Sequence, residues 1–316
     1  MPRRVFGPVP SRRLGISLGV NNIPHKVCSY SCIYCQVGKA VRMQVNRQEF
    51  YKPQDLVAEV KSVLDSIQNK EKYPDYITIV PDGEPTLDLG LGTLIELLKP
   101  IKIPIAVITN ASLIQLPGVR SDLMKADYIS VKVDSLNNET WHKINKPCKE
   151  LNMDEISNGI RLFSQQYTGK LVTETMLLKG INDSPVELDL IARFIQTIKP
   201  QMAYISIPTR PTAFKDAIAA DGHSVTRAFH IFKEYLENVE LLTGYEGNAF
   251  SSTGNFDHDI LSITAVHPMR KEAVMELMAK ANASEYQLKL LIDHGFIDRV
   301  SYRNQEFFIR RFGKNN

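Results

Sequence analysis

Residues 76–110 read YITIVPDGEPTLDLGLGTLIELLKPIKIPIAVITN, and the architecture of the chain turns on them. A short β-branched run at 76–80 ends in the turn residues PDGEPT. An apolar-periodic segment follows through Leu91, Leu94, Ile95, Leu97 and Leu98, and a second β-rich run at 103–110 closes the unit. A strand, a helix and a strand in that order form a crossover, so the two strands are expected to lie parallel.

The unit repeats outward in both directions. Upstream, Leu56, Val57, Val60, Val63, Leu64 and Ile67 make one helical face with Pro53 near its start, preceded by a first strand around Ile16, Leu18 and Val20. Downstream, helical patterns near 119–125, 153–165 and 187–198 alternate with strand-like runs at 127–134, 170–178 and 202–209. Six such runs separated by helices predict an α/β fold with a parallel sheet covered by helices. Asp82, Gly83 and Glu84, then Thr109 and Asn110, then Asp134, then Thr209 and Arg210 all end or follow strands. That is the end where β/α barrels collect their chemistry, so a curled sheet is expected.

After Glu237 the pattern changes. A weak strand at 239–243 leads into a Gly/Asn/Ser-rich stretch at 244–255, expected to be a lid or linker. Helical HDILSITAV, a break at Pro268, helical MRKEAVMELMAKA, and helical SEYQLKLLIDHG with Gly295 at its C-cap come next. Two alternating runs then flank Arg303 and Asn304 as a hairpin. Three short helices and a hairpin predict a winged-helix unit at 257–316, behind a barrel with its cysteine loop at 1–250.

The 316 residues carry 38 basic and 35 acidic side chains, a net charge of +3 that is too small to establish nucleic-acid binding. The N-terminal residues MPRRVFGPVPSRRLG lack a secretory h-region, and no run approaches the length of a membrane span. A cytoplasmic protein without membrane contact is the default expectation.

Three of the four cysteines fall within KVCSYSCIYCQVG, giving Cys28-x3-Cys32-x2-Cys35. Ring closures that short strain a disulfide, so metal ligation or redox chemistry is the better reading, while the isolated Cys148 reads as an inert thiol. Thiolates suit iron–sulfur clusters and zinc alike, and three of them leave a fourth position unfilled. A structural zinc would need another ligand, for which His25 is the nearest candidate. An open iron would instead bind a chelating small molecule and pass an electron into it.

CSYSCIYC resembles the CxxxCxxC signature of the radical S-adenosylmethionine superfamily, with Tyr34 matching the aromatic that precedes its last cysteine. Asp82-Gly83-Glu84-Pro85 is similar to the superfamily's GGEP motif, with Asp82 in place of the first glycine. The resemblance implies a partial (β/α)6 barrel, a [4Fe–4S] cluster on Cys28, Cys32 and Cys35, and S-adenosylmethionine as cofactor. It places cofactor contacts at Gly83, Glu84, Pro85, Thr109, Asn110, Lys132, Asp134 and Thr175, and adenine contacts at Ile207 to Thr209. A one-electron donor such as flavodoxin or ferredoxin is implied as partner. GPVPSRRLGISLGV and ITAVHPMRKEAV further resemble an iron–sulfur oxidoreductase subgroup distantly related to wyosine-synthesising enzymes. The lack of a second cysteine cluster separates this chain from members with auxiliary centres.

The implied activity is reductive cleavage of S-adenosylmethionine to a 5′-deoxyadenosyl radical that abstracts hydrogen from a substrate. An RNA base or nucleotide is one expectation, since Arg299, Arg303, Arg310 and Arg311 in the tail could meet a phosphate backbone. Glu285, Asp293, Asp298 and Glu306 interleave negative charge there. A protein, peptide or small-metabolite substrate, with the tail docking or capping, is therefore the alternative, and a cluster-containing nucleic-acid-binding redox regulator is a third. Glu174, Tyr204 and Arg210 are candidates for controlling the substrate, without an assigned catalytic role. A strand's period of two puts Glu174 and Thr175 on opposite faces. Arg12 and Arg13 either clamp an anion or tie the N-terminal segment across the barrel.

Overall fold

The structure, a computed structural model, describes residues 4–67, 73–244, 250, 252 and 254–311. Much of the lid or linker expected at 244–255 lies outside the described residues.

The chain opens as an antiparallel hairpin of β1 (Val5–Ser11) and β2 (Gly15–Val20). A cysteine loop follows, in which β3 (Val27–Cys28) and β4 (Arg42–Met43) make a short parallel bridge. The chain then alternates as expected: α1 (Pro53–Ser66), β5 (Tyr76–Ile79), α2 (Leu91–Leu98), β6 (Ile105–Thr109), α3 (Pro117–Leu123) and β7 (Tyr128–Lys132). The alternation continues with α4 (Asn138–Asn145), α5 (Met153–Gln166), β8 (Lys170–Met176), α6 (Pro185–Ile198), β9 (Met202–Ser206), α7 (Gly222–Tyr235) and β10 (Val239–Leu242). Proline in the first turn starts α1, α3 and α6, where its missing N–H costs nothing.

These strands form one eight-stranded sheet in the order β1-β2-β5-β6-β7-β8-β9-β10, parallel from β2 onward. Alternate residues divide its two faces. Ile77, Ile79, Val107, Ile129, Val131 and Ile205 pack outward on the helices in the main core. Leu14, Ala106, Tyr128, Val172, Tyr204 and Leu242 form a smaller cluster on the inner face. Leu14 sits in the first hairpin and Leu242 ends the last strand, so the two edges approach each other. Arg12 joins them by donating from Nη1 to the Leu242 carbonyl at 2.5 Å. The sheet is thus curled, compatible with a partial barrel.

Among the elements that the sequence reading did not anticipate are β1, α4 and α7. β1 carries Pro8 and Pro10, which an edge strand tolerates because one side of its ladder is unpaired. The Phe6 ring lies against its partner strand where a Cβ on Gly19 would come within 2.1 Å, so glycine is required there. α4 has little apolar periodicity and starts on an Asn137 cap to the Thr140 amide. α7 does have that periodicity, in Val225, Ala228 and Phe232, behind an Asp221 cap.

A separate C-terminal helix and strand region follows, with α8 (Phe256–Val266), β11 (Met269–Arg270), α9 (Lys271–Ala281), α10 (Glu285–Asp293), β12 (Ile297–Tyr302) and β13 (Gln305–Arg310). Arg303 and Asn304 take positive φ of 49° and 61° at the hairpin tip, as a tight primed turn demands. β11 adds an unexpected third strand beside β13. The core of this region, including Phe256, Ile260, Met269, Leu277 and Phe308, runs on into Phe6 and Val9 of β1. The tail therefore packs on the curled sheet at β1. No helix among the described residues is long and apolar enough to cross a membrane.

Candidate functional site

The cysteine loop is pinned to the end of α4, where Ser31 N donates to Asn145 O at 3.0 Å and Ile33 N to Ile144 O at 2.8 Å. Ile33 and Tyr34 are buried with Ile144, Met176 and Leu178, which fixes the loop's direction. Each of its sulfurs meets an N–H donor. Asn110 Nδ2 lies 3.7 Å from Cys28 Sγ, Asn145 Nδ2 3.3 Å from Cys32 Sγ, and Lys26 Nζ 3.3 Å from Cys35 Sγ. Burial, reinforced by Cys32 and Glu84, pushes the Cys28 thiol up, and burial pushes the Cys32 thiol up to about 12. Such thiols ionise only when a metal replaces their protons.

Cys148 is buried in the main core, as an inert thiol would be. His25, the nearest candidate for a fourth ligand, turns its Nδ1 to Asp82. Among the described residues, no group of three or more His, Cys, Asp and Glu side chains is placed to hold a metal ion. What the loop offers is three soft donors within electrostatic reach of one another, each hydrogen-bonded from a different part of the chain. By donor chemistry three thiols of this kind fit an iron–sulfur cluster, which Cys28, Cys32 and Cys35 would hold.

The DGEP turn packs directly on this loop. A Cβ at Gly83 would fall 1.9 Å from the Val27 carbonyl, so only glycine permits the approach, and the Glu84 amide donates to that same carbonyl at 3.2 Å. Asp82 adds a clamp by accepting from Asn21 and pairing with His25. The Glu84 carboxylate accepts from Thr86 N, Thr86 Oγ1, Thr109 Oγ1 and Asn110 N at 2.6–3.0 Å, tying the ends of β5 and β6 together. Burial nevertheless raises its pKa. Pro85 begins the short 3-10 turn that follows.

A cavity of about 340 Å³ opens inside the curled sheet beside Tyr34 and Cys35, a size suited to a small ligand. A polar chain runs from the cysteine loop along it. Asn145, bonded to Cys32, also donates to Asp134 at 2.9 Å, and Tyr34 donates to the same carboxylate. Lys132 Nζ lies 3.7 Å from Asp134 and 3.3 Å from Glu174, and Arg13 pairs with Glu174 as well. Ser206 donates to Glu174 at 2.9 Å. Burial would raise the Glu174 carboxyl, but Arg13, then Lys132 and Arg12, outweigh it and hold the group well below the usual carboxylate range.

The candidate residues divide accordingly. Glu174 and Lys132 face the cavity, as do Arg12, Arg13 and Arg210. Tyr204 lies in the inner apolar cluster with Tyr128. Thr175 is on the face opposite Glu174, its hydroxyl donating to Val133 O at 2.8 Å. Gly83, Glu84, Pro85, Thr109 and Asn110 form the turn network at the cysteine loop, and Ile207 packs outward in the main core. Thr209 Oγ1 is buried with no hydrogen-bond partner among the described residues. Asn145, Gln36, Ser206 and His267 were not singled out from sequence, because each joins the site through partners remote along the chain.

Residues 22–190 match the model of a family described as the Radical SAM superfamily. The UPF0026 protein of Methanocaldococcus jannaschii is 41% identical over 96% of this chain and 95% of its own length. That of Helicobacter pylori is 37% identical over 67% of this chain and 68% of its own. A solved structure of TYW1 with a lysine-pyruvate adduct bound aligns over 70% of this chain and 74% of that one, at a TM-score of 0.53 and 16% identity, a likeness of fold.

Proposed function

This chain belongs to the radical SAM superfamily and to the UPF0026 proteins, and we propose on that basis that Cys28, Cys32 and Cys35 hold a [4Fe–4S] cluster at which S-adenosylmethionine is reductively cleaved. The observation that carries the reading is the packing of the three-thiol loop on the DGEP turn, at the edge of a cavity inside a curled parallel sheet. When bound, the cluster and S-adenosylmethionine supply a 5′-deoxyadenosyl radical for hydrogen abstraction, fed by a one-electron donor such as flavodoxin or ferredoxin.

The chain's own residues bind, orient and exclude. Gly83, Glu84 and Pro85 present backbone groups beside the cysteine loop, with Thr109 and Asn110 holding the turn in place. Lys132 faces the cavity with Asp134 beside it, and the pair would meet a cofactor's carboxylate or ribose. The buried Thr209 hydroxyl, which has no hydrogen-bond partner among the described residues, fits a polar ligand atom near Ile207. Val80, Ile108 and Met176 line the cavity with apolar surface, which keeps water from a reactive intermediate.

In this reading residues 1–250 make a partial (β/α)6 barrel and residues 257–316 a winged helix, and the kinship with wyosine-synthesising iron–sulfur enzymes belongs to it too. The winged helix caps the barrel rather than reading nucleic acid. Arg299 is paired with Glu306 at 2.6 Å and Arg311 with Asp298 at 3.6 Å, which neutralises much of its basic group. Its core, meanwhile, is continuous with β1. The test is anaerobic reconstitution with iron and sulfide, metal and sulfide counting, and assay of 5′-deoxyadenosine from S-adenosylmethionine under a one-electron reductant. About four irons per chain and reductant-dependent product are expected. One zinc per chain and no product would overturn the reading.

A further inference from the structure

Two of the three cysteine sulfurs meet neutral donors, the side-chain amides of Asn110 and Asn145, at 3.7 and 3.3 Å. The third, Cys35 Sγ, meets an ammonium, with Lys26 Nζ at 3.3 Å. Lys26 is 3% exposed, and a lysine is almost never so deeply buried without an anion at its tip. Among the described residues it makes no ion pair. The carboxylates of the adjoining DGEP turn are engaged elsewhere, Asp82 with Asn21 and His25, Glu84 with Thr86, Thr109 and Asn110.

The backbone commits the side chain to that place. Lys26 takes a φ of 57°, in the left-handed region that residues other than glycine seldom occupy. The turn is held from two sides: Lys26 O accepts from Val41 N at 3.0 Å and Arg42 N at 3.3 Å, and Val27 O accepts from Glu84 N at 3.2 Å. A long cationic side chain is thus pinned inside the cysteine loop. Burying an ammonium there is costly unless an anion joins it, and a metal-bound thiolate at Cys35 is such an anion.

We propose that Lys26 is the counter-charge of the cluster and raises its reduction potential through Cys35, so that a one-electron donor reduces it more readily. In that step the donor loses one electron and the cluster gains it, with no proton moved, and the cluster becomes one unit more negative. An ammonium one hydrogen bond away from a ligand sulfur stabilises the more negative state over the less negative one. The amides of Asn110 and Asn145 act with the same sign but without a full charge. Lys26 touches a ligand of the cluster and not the substrate, so it is a positioning residue rather than a catalytic one. The proposal rests on the reading that Cys28, Cys32 and Cys35 hold a four-iron cluster, and adds to it what sets that cluster's potential.

The test is a redox titration of the anaerobically reconstituted full-length protein without S-adenosylmethionine, followed by the electron paramagnetic resonance signal of the reduced cluster. Wild type is compared with Lys26→Met, Lys26→Gln and Lys26→Arg. At a fixed solution potential the ratio of reduced to oxidised cluster should fall about tenfold or more in the Met and Gln variants, a lowering of ~59 mV or more for one electron. Lys26→Arg keeps the charge and should titrate close to wild type. Lys39→Gln removes an exposed charge just beyond Cys35 and should shift the ratio far less, because water screens it. A merely structural lysine would change melting or iron content and leave the potential of the retained cluster where it was. An unmoved potential in both neutral variants, or an equal shift in Lys39→Gln, would overturn the proposal. If neither neutral variant retains iron, Lys26→Arg decides: a retained cluster supports the counter-charge, and iron loss in all three overturns it. Iron and sulfide counting on the wild type keeps the two ideas apart: a wild type without iron removes the cluster reading itself, and a loaded protein with an unmoved potential removes the role of Lys26 alone.

Discussion

The cysteine-loop end of the curled sheet and the C-terminal region are built on opposite plans. At the loop, side chains distant along the chain meet in polar contacts: Asn145 reaches Cys32 across 113 residues and Arg13 reaches Glu174 across 161. The C-terminal region is held by its own hairpin, caps and apolar core, and it meets the curled sheet mainly through Phe6, Val9 and a few hydrogen bonds. A site made of long-range polar contacts is rigid only while every partner is present, whereas a region with its own core can lose a contact and keep its shape. Chemistry needing fixed geometry is therefore expected at the first, and adjustable closure at the second.

The sharpest way to break this contrast is to remove a thiol. Cys32→Ala should abolish most of the bound iron and all 5′-deoxyadenosine, while Cys148→Ala, in the main core, should keep the wild-type iron content; equal losses in the two would erase the distinction.

Glu174→Gln comes next, because it takes the ion-pair partner from Arg13 and leaves Lys132 with Asp134 alone. Urea unfolding at pH 7 should show a loss of about 3–5 kcal/mol. The folded carboxyl lies below its unfolded value, so its stabilisation is fully present above the ordinary range near pH 4.3 and fades as the pH falls through the folded value. The gap between wild type and variant should narrow on acidification below about pH 4.3, and a gap that widens there would contradict the ion-pair assignment.

Gly83→Ala forces a Cβ against the Val27 carbonyl and should cost about 1–3 kcal/mol. Its signature is weaker iron retention on gel filtration, since the displaced neighbour is the cysteine loop. A fully retained cluster would show that the turn and loop are not coupled. Smallest is Tyr302→Phe, which removes the 3.3 Å bond to Pro208 O from the C-terminal region. A loss of about 0.5–1.5 kcal/mol is expected by thermal melting, with iron content unchanged.

Which parts of this were legible beforehand follows the same division. The alternation of strands and helices, Gly295 after α10, the Arg303-Asn304 turn and the spacing of the three cysteines are local signals, each decided within a few residues. Gly83 was legible as part of the DGEP motif, but not that it packs on the cysteine loop's own Val27 carbonyl. The strand period also correctly separated Glu174 from Thr175, and the curl of the sheet then turned Glu174 inward toward Arg13. What stayed hidden depends on that curl: no spacing in the chain announces that Arg12 will touch the end of β10, or that His267 will meet Arg210. β1 was missed for a different reason, because Pro8 and Pro10 read as loop until its edge position is known.

The most direct measurement is low-temperature electron paramagnetic resonance of the anaerobically reconstituted, dithionite-reduced protein, recorded before and after adding S-adenosylmethionine. If three thiolates leave one iron open to that molecule, the signal of a reduced four-iron cube should appear and its g values should shift when S-adenosylmethionine is added. A spectrum from a fully thiolate-bound cube that S-adenosylmethionine leaves untouched, or no iron signal at all, would contradict the account.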